Sequence, residues 1–159
     1  MPTNTNQYLF FINLNYMFVK IKKLNENAVI PKYAKDSDAG FDLVATSIHY
    51  NNTQMTYGTG LAMEIPEGYV GLVFPRSSIR NTDLSLSNAV GVIDSGYRGE
   101  IQATFNRKGV SQIDGHPIYM VGDRIAQIII VPYPHIIFDE VDELSNSERG
   151  TGGFGSTGK

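Results

Sequence analysis

The feature that most constrains this chain is an alternation of apolar and polar residues with a period of two. The clearest example is residues 98–106, where Ile101, Ala103 and Phe105 alternate with polar residues. Successive side chains of a β-strand point to opposite faces, so this pattern predicts a half-buried strand. Residues 18–22 show the same pattern. Because no window of a dozen residues carries a sustained helical stripe, we predict an all-β sandwich or barrel.

Two near-continuous apolar runs, 69–74 and 125–131, predict strands that are buried on both faces. Glycine- and aspartate-containing turn signals separate the predicted strands. Residues 88–100 predict a hairpin, with a strand on each side of a turn at 94–97. The chain has 159 residues, which is the length of one such domain.

The composition excludes several classes of function. A net charge of −3 provides no basic field, so direct nucleic-acid binding is not expected. The chain has no cysteine, which rules out disulfides, thiolate catalysis and cysteine-ligated zinc. The three histidines, His49, His116 and His135, lie far apart and show no metal-ligand spacing. A general base is therefore expected to be a carboxylate.

The ends of the chain differ from its centre. Residues 1–16 carry no charged side chain and form a leader of unknown role, and 17–138 hold the strand pattern. Residues 139–148 form an acidic connector with five acids and no base, and 149–159 form a glycine-rich tail. The apolar runs are too short for a membrane helix and no targeting signal is recognised, so we expect an intracellular, cytoplasmic protein.

Polar residues interrupt or end the apolar runs at four places. Asp42 lies in a strand-like stretch, as a turn aspartate or as a ligand of a hard cation or water. Arg76 and the two serines after it end a buried run, as an ordinary turn or as donors to phosphate. Asp94 meets the turn at 94–97, as a turn residue or as a carboxylate facing a pocket. Gln127 interrupts aliphatic residues, and its amide needs hydrogen-bond partners.

Taken together and in order, these stretches resemble the homotrimeric dUTP pyrophosphatase (dUTPase) family. The five motifs are AGFDL at 39–43, PRSS at 75–78, NAVGVIDSGYRGE at 88–100, GDRIAQI at 122–128 and RGTGGFGSTG at 149–158. The resemblance covers roughly residues 17–159. It implies a compact jelly-roll-type β-barrel at 17–138 and a homotrimer with active sites shared between subunits. It also implies that the tail at 149–159 is a mobile lid over the site.

The activity implied by the resemblance is hydrolysis of dUTP to dUMP and pyrophosphate. This reaction limits uracil incorporation into DNA and supplies dUMP for dTMP synthesis. Asp94 would activate the water that attacks the α-phosphate. Mg²⁺ is the implied cofactor, carried on the triphosphate, with Asp42 contacting it indirectly through water.

The resemblance also implies a set of expected substrate contacts. Phosphate oxygens would be bound by Arg76, Ser77 and Ser78, and Gln127 would contact the phosphate chain or position water. Uracil and deoxyribose would be met by Asn88, Gly91, Val92, Ile93, Tyr97 and Gln102. The tail residues that would close over the substrate are Arg149, Phe154, Gly155, Ser156 and Thr157. Main-chain groups would pair with uracil, and cytosine would leave buried groups unpaired. The tyrosine would leave no room for a 2′-hydroxyl.

Two alternatives stay open. The first is dCTP deaminase, or its bifunctional form, on the same fold, which needs a deaminating constellation that we do not find in the sequence. The second is an inactive dUTPase-like trimer used for binding. Loss of Asp94, Tyr97 or the tail would indicate that second alternative, and all are present.

Overall fold

Strands account for almost all the regular structure in residues 17–51, 53–107 and 118–153, which the computed structural model describes. The strands are β1 (Lys20–Lys23), β2 (Phe41–Val44), β3 (Ser47–Asn51), β4 (Gln54–Gly58), β5 (Leu61–Glu64), β6 (Tyr69–Pro75), β7 (Leu84–Leu86), β8 (Gly91–Ile93), β9 (Gln102–Arg107) and β10 (Arg124–Pro132). A 3-10 turn at Ser77–Asn81 follows β6. Across those three ranges, no helix has the length and apolar character needed to cross a bilayer.

Two four-stranded antiparallel sheets share one hydrophobic core. The first sheet has the order β2-β10-β6-β8 and the second the order β3-β4-β9-β7, while β1 and β5 form a separate ribbon. Eight strands in two such sheets is the jelly-roll arrangement. The predicted all-β fold is therefore confirmed, although the strands of the described ranges do not close into a continuous barrel.

The alternation along β9 is confirmed in detail. Ile101, Ala103 and Phe105 are buried, whereas Gln102 between them is exposed. The strand begins later than the pattern predicts, because the residues from 98 onwards first form a loop. The prediction that the central strands β6 and β10 are buried on both faces is confirmed only in part. One face of each strand is buried in the core, whereas the other face is mostly half-buried.

The predicted hairpin at 88–100 is wrong. Strand β8 pairs with β6, with Ile93 opposite Gly71, whereas β9 pairs with β4 and β7 in the other sheet. The segment between them therefore crosses from one sheet to the other. Its far end is held by a distant contact, because the backbone N–H of Ile101 donates to the carbonyl of Leu61 at 2.8 Å. Alternation reports which face a residue occupies, not which strand it pairs with.

Three aromatic rings form the centre of the core. Tyr57, Phe105 and Tyr119 lie with ring centroids 5.6–6.2 Å apart in edge and tilted contacts. The buried Tyr57 hydroxyl donates to the Tyr119 carbonyl at 3.0 Å. Burial raises the pKa of this hydroxyl well above its ordinary value, so it remains a donor. The bond ties β4 to the segment that enters β10.

Tyr57→Phe tests this buried hydrogen bond. We expect the free energy of unfolding to fall by about 1–2 kcal/mol, because the Tyr119 carbonyl loses its donor. The same change at Tyr50, which is 66 % exposed in β3, is the control and is expected to cost less than about 0.5 kcal/mol. Urea denaturation at a fixed protein concentration measures both. Equal costs at the two sites would contradict the role assigned to the bond.

Candidate active site

Asp42 in β2 holds two arginine side chains. Its Oδ1 accepts from Arg76 Nε at 2.6 Å and its Oδ2 accepts from Arg124 Nη1 at 3.0 Å. The side chains of Asp42 and Arg76 are 28 % and 22 % exposed, so this ion pair is partly desolvated. A charge-assisted bond in such surroundings fixes the direction of the guanidinium. We name these three residues the arginine clamp.

Further contacts hold Arg76 where the chain leaves β6. Its Nη1 donates to Ser78 Oγ at 3.3 Å and to the carbonyl of Arg124 at 3.4 Å. The Ser78 hydroxyl also lies 3.3 Å from the hydroxyl of Tyr119. The 3-10 turn places Ser77 next to these groups, on the exposed surface. The second motif thus presents a cation and hydroxyl groups at one end of the sheet.

Gln127 joins the arginine clamp from β10. It pairs with Asp42 across the sheet, and its Nε2 donates to the carbonyl of Pro75 at 3.1 Å. Its Oε1 faces Gly40, where an added Cβ would lie 3.2 Å away. The backbone bond satisfies one end of the amide, while the residue still lines the cavity beside the clamp.

A cavity of about 340 Å³ opens beside the arginine clamp. Its polar lining includes Lys32, Ser37, Asp38, Asp42 and Gln127. No group of three or more metal-ligating side chains occurs within 17–51, 53–107 and 118–153. Mg²⁺ usually keeps several waters and binds one or two carboxylates plus substrate phosphates, so the two aspartates fit a hydrated ion. Each carboxylate oxygen of Asp42 retains a lone pair for water besides its arginine bond.

The third motif forms a second, smaller cavity of about 170 Å³. It is lined by Val92, Ile93, Asp94, Tyr97, Glu100 and Gln102. Asp94 is exposed, directly follows β8, and accepts the backbone N–H of Tyr97 through its carbonyl at 3.0 Å. Five of these six residues are predicted site residues, and the sixth, Glu100, is not. We call this the third-motif cavity.

The remaining predicted site residues are less closely grouped. Asn88 is exposed just before β8, and an added Cβ at Gly91 would lie 3.5 Å from its Nδ2. Arg149 is exposed near the chain end. The predicted tail contacts lie outside the described residues, and these are Phe154, Gly155, Ser156 and Thr157.

Within one chain, the arginine clamp and the third-motif cavity are separate. Ile93 pairs with Gly71, and Arg76 lies five residues further along the chain. Asp94 lies one residue beyond Ile93 in the opposite direction, so at about 3.3 Å per residue it is separated from Arg76 by about 20 Å along the sheet. The guanidinium also extends across β10 to Asp42 in β2, away from β8. The two sets of side chains therefore do not share one space in a single chain.

A double-mutant cycle on Asp42→Ala and Arg76→Ala measures the coupling in the arginine clamp. We expect each single change to lower the free energy of unfolding by about 1.5–3 kcal/mol. Asp42→Ala leaves the Arg76 guanidinium without its carboxylate, and Arg76→Ala leaves the Asp42 carboxylate with Arg124 alone. The double variant is expected to cost less than the sum. The control cycle uses the exposed Lys20–Glu64 pair at 2.9 Å, for which no measurable coupling is expected. Strictly additive costs in the clamp would overturn this interpretation.

Comparison with known proteins identifies the family. A family model described as dUTPase matches residues 26–158. A deoxyuridine 5′-triphosphate nucleotidohydrolase from Thermobifida fusca is 40 % identical over 144 residues, covering 88 % of this chain and 78 % of the relative. One from Nautilia profundicola is 42 % identical over 146 residues, covering 90 % and 100 %.

Solved structures agree with these matches. The dUTPase of Staphylococcus bacteriophage 80alpha with dUPNHPP aligns with a TM-score of 0.76 and 31 % identity, over 89 % of this chain and 99 % of that one. A variant dUTPase from phage phi11 of S. aureus, described with a structural Mg(II) ion, aligns with a TM-score of 0.67 and 27 % identity, over 80 % and 98 %. As the five ordered motifs predict, this chain belongs to the dUTPase family.

Proposed function

We propose that Asp94 activates water in the hydrolysis of dUTP to dUMP and pyrophosphate, the reaction of this dUTPase-family chain. The similar proteins described above are named for this activity, and one of them binds a dUTP analogue. The observation that carries the residue assignment is the third-motif cavity. There, an exposed carboxylate, an aromatic ring and the end of an edge strand line one space.

The chemical step is a displacement at the α-phosphorus. The water oxygen forms a bond to this phosphorus, and the bond to the bridging oxygen breaks so that pyrophosphate leaves. The proton of the water passes to the Asp94 carboxylate. A carboxylate is a weak base, so positioning and charge stabilisation supply most of the acceleration. Arg76, Ser77 and Ser78 bind phosphate oxygens, and Gln127 contacts the phosphate chain or positions water.

The backbone of β8 suits recognition of uracil. This strand pairs with β6 on one side and lies at the edge of its sheet. An edge strand presents N–H and C=O groups that can pair with a planar base in place of a neighbouring strand. Val92 and Ile93 supply these groups, with Asn88 and Gln102 nearby. Cytosine reverses a donor and an acceptor, which leaves buried groups unpaired.

Mg²⁺ is the proposed cofactor, at the cavity beside the arginine clamp. The chemistry of the lining supports this, since Asp38 and Asp42 provide carboxylates for a hydrated ion. When bound, the ion would neutralise charge on the triphosphate, which would make pyrophosphate a better leaving group. Asp42 would hold it through water while keeping both arginines in place.

We further propose a homotrimer with shared active sites. The separation between the arginine clamp and Asp94 within one chain supports this, because the reaction needs both at one triphosphate. In a closed ring, the clamp of one chain meets the third-motif cavity of the next. Residues 149–159 close over the completed site as a lid. We place this activity in the cytoplasm, where it limits uracil incorporation into DNA and supplies dUMP for dTMP synthesis.

The alternatives are not favoured. The Thermobifida, Nautilia and phage proteins similar to this chain are named for dUTP hydrolysis rather than for deamination of dCTP. An inactive binding trimer is distinguished from an enzyme by turnover alone. Both alternatives are outcomes of the next experiment.

Asp94→Asn tests the proposed base. We expect kcat for dUTP to fall by about 10²–10⁴-fold, with dUMP binding nearly unchanged, because the variant keeps the shape of the side chain and loses its basicity. Pyrophosphate release with Mg²⁺ is measured beside dCTP, dTTP and UTP. The matched control is Asp139→Asn, an exposed acid in the connector. Near-normal turnover in Asp94→Asn refutes the assignment, and ammonia release from dCTP identifies a deaminase.

Mixed trimers test whether the site is shared. Arg76→Ala and Asp94→Asn chains are co-expressed with different affinity tags and purified through both tags. In each mixed trimer, one site combines an intact arginine clamp with an intact Asp94. About one third of wild-type activity is therefore expected, although trimers of either variant alone are inactive. Trimers of two differently tagged Arg76→Ala chains are the control. Complete inactivity of the mixed trimers would place the whole site within one chain.

A further inference from the structure

Glu100 is the one residue of the third-motif cavity that no motif-based role covers. It is half-buried and lies between the turn at 94–97 and β9. Its two carboxylate oxygens bind different parts of the chain. Oε1 accepts the backbone N–H of Gly60 at 2.7 Å, and Oε2 accepts the side-chain Nε2 of Gln102 at 2.9 Å. The carboxylate therefore joins the turn after β4 to the wall of the cavity.

The backbone of Glu100 also holds the aromatic ring of the cavity. Its carbonyl accepts the hydroxyl of Tyr97 at 3.0 Å. This bond requires a close approach, because an added Cβ at Gly99 would clash with the Tyr97 hydroxyl and ring. Glu100 thus contacts both of the side chains, Tyr97 and Gln102, that the nucleoside end of the substrate is expected to meet.

A glycine in the neighbouring strand provides the space for the carboxylate. Gly58 in β4 pairs with Gln102, and an added Cβ there would lie 2.6 Å from Glu100 Oε1 and 2.5 Å from Ser47 Oγ. Both atoms are ends of side chains that can rotate away. A methyl group at this position therefore displaces the carboxylate while the backbone of the strand stays in place. Gly60, which donates to the carboxylate, has a φ of 65°, a conformation that suits glycine.

The charge of this cavity also indicates which end of the substrate it takes. Among the residues that the structure describes, its lining contains two acids, Asp94 and Glu100, and no lysine or arginine. The arginine clamp carries two guanidinium groups at the other end of β6. Two carboxylates repel a triphosphate and are compatible with a neutral base and sugar. The opposite charges of the third-motif cavity and the arginine clamp therefore orient the nucleotide.

We propose that Glu100 is a positioning residue for nucleoside recognition, which fixes the Tyr97 ring and the Gln102 amide against the sugar and base. This proposal rests on the proposed function, which assigns the third-motif cavity to the nucleoside. Two donors converge on the carboxylate, and each binds a different one of its two oxygens. Release of the carboxylate frees the Gln102 amide directly. It frees the Tyr97 ring indirectly, because the backbone carbonyl at position 100 that accepts the Tyr97 hydroxyl is no longer anchored through Gly60. Affinity for the nucleoside and preference for deoxyribose then fall, while the Asp94 water remains in place.

Glu100→Gln and Gly58→Ala test the proposal by two different changes, one to the carboxylate itself and one to the space that it occupies. The glutamine has one acceptor oxygen, so it keeps one of the two bonds, and the alanine methyl displaces the carboxylate. We expect each variant to raise the KM for dUTP about tenfold and to reduce the dUTP/UTP ratio of kcat/KM by a similar factor, with a smaller change in kcat. The double variant is expected to be no worse than either single one, because both act on the same contact. Glu67→Gln, an exposed acid between β5 and β6, is the control.

Binding of dUMP separates this proposal from the proposed function. The product lacks the β- and γ-phosphates, so its Kd reports on the nucleoside end without hydrolysis. We expect the Kd for dUMP to rise in Glu100→Gln and Gly58→Ala by the same factor as the KM for dUTP. Failure of the wild-type protein to release pyrophosphate from dUTP overturns the proposed function. Wild-type dUMP affinity and dUTP/UTP preference in both variants overturn the role of Glu100, even where the melting temperature falls.

Discussion

The structure depends on the pairing of β6 between β10 and β8. Its register with β10 runs from Ala126 opposite Pro75 to Pro132 opposite Tyr69, without a break. This ladder fixes where the strand ends, and the chain leaves it at Arg76, directly beside β2 and β10. On its other edge, β6 pairs with β8 and thereby fixes the position of Asp94, which directly follows β8. One strand thus places Arg76 and Asp94, the groups proposed to bind phosphate and to activate water, at opposite ends of the sheet.

Much of the fold can be read from the sequence, because burial repeats with the period of a strand. The buried face of β9 follows from apolar spacing alone, whereas the continuous apolar runs of β6 and β10 locate those strands without showing which face enters the core. The pairing of strands does not follow, since it depends on contacts between distant residues. The failed hairpin at 88–100 shows this: the loop is directed to the other sheet by Leu61 and Gly60, some forty residues earlier in the chain. Local patterns carry no information on such partners.

The candidate site shows the same division between local and distant information. The resemblance predicts several of the residues that line the two cavities. Asp42 and Gln127 line the first, and Asp94, Tyr97 and Gln102 share the second. The sequence does not reveal that Asp42 holds two arginines, because its partners are 34 and 82 positions away. Glu100 gives no signal in the sequence for the same reason, since its proposed role rests on a backbone N–H in another turn. A side chain whose partner is a distant backbone group leaves no local signature.

The separation of the arginine clamp from Asp94 also has a genetic consequence. If each site takes its two halves from neighbouring chains, a defective copy that lacks both halves damages its own site and that of a neighbour. Each such copy then inactivates about two of the three sites in the trimer that it joins. A single damaged allele, expressed beside an intact one, would therefore reduce activity by more than its share of the protein. Such a dominant effect of the damaged allele would follow from the position at which β6 ends, because that position separates Arg76 from Asp94 within one chain.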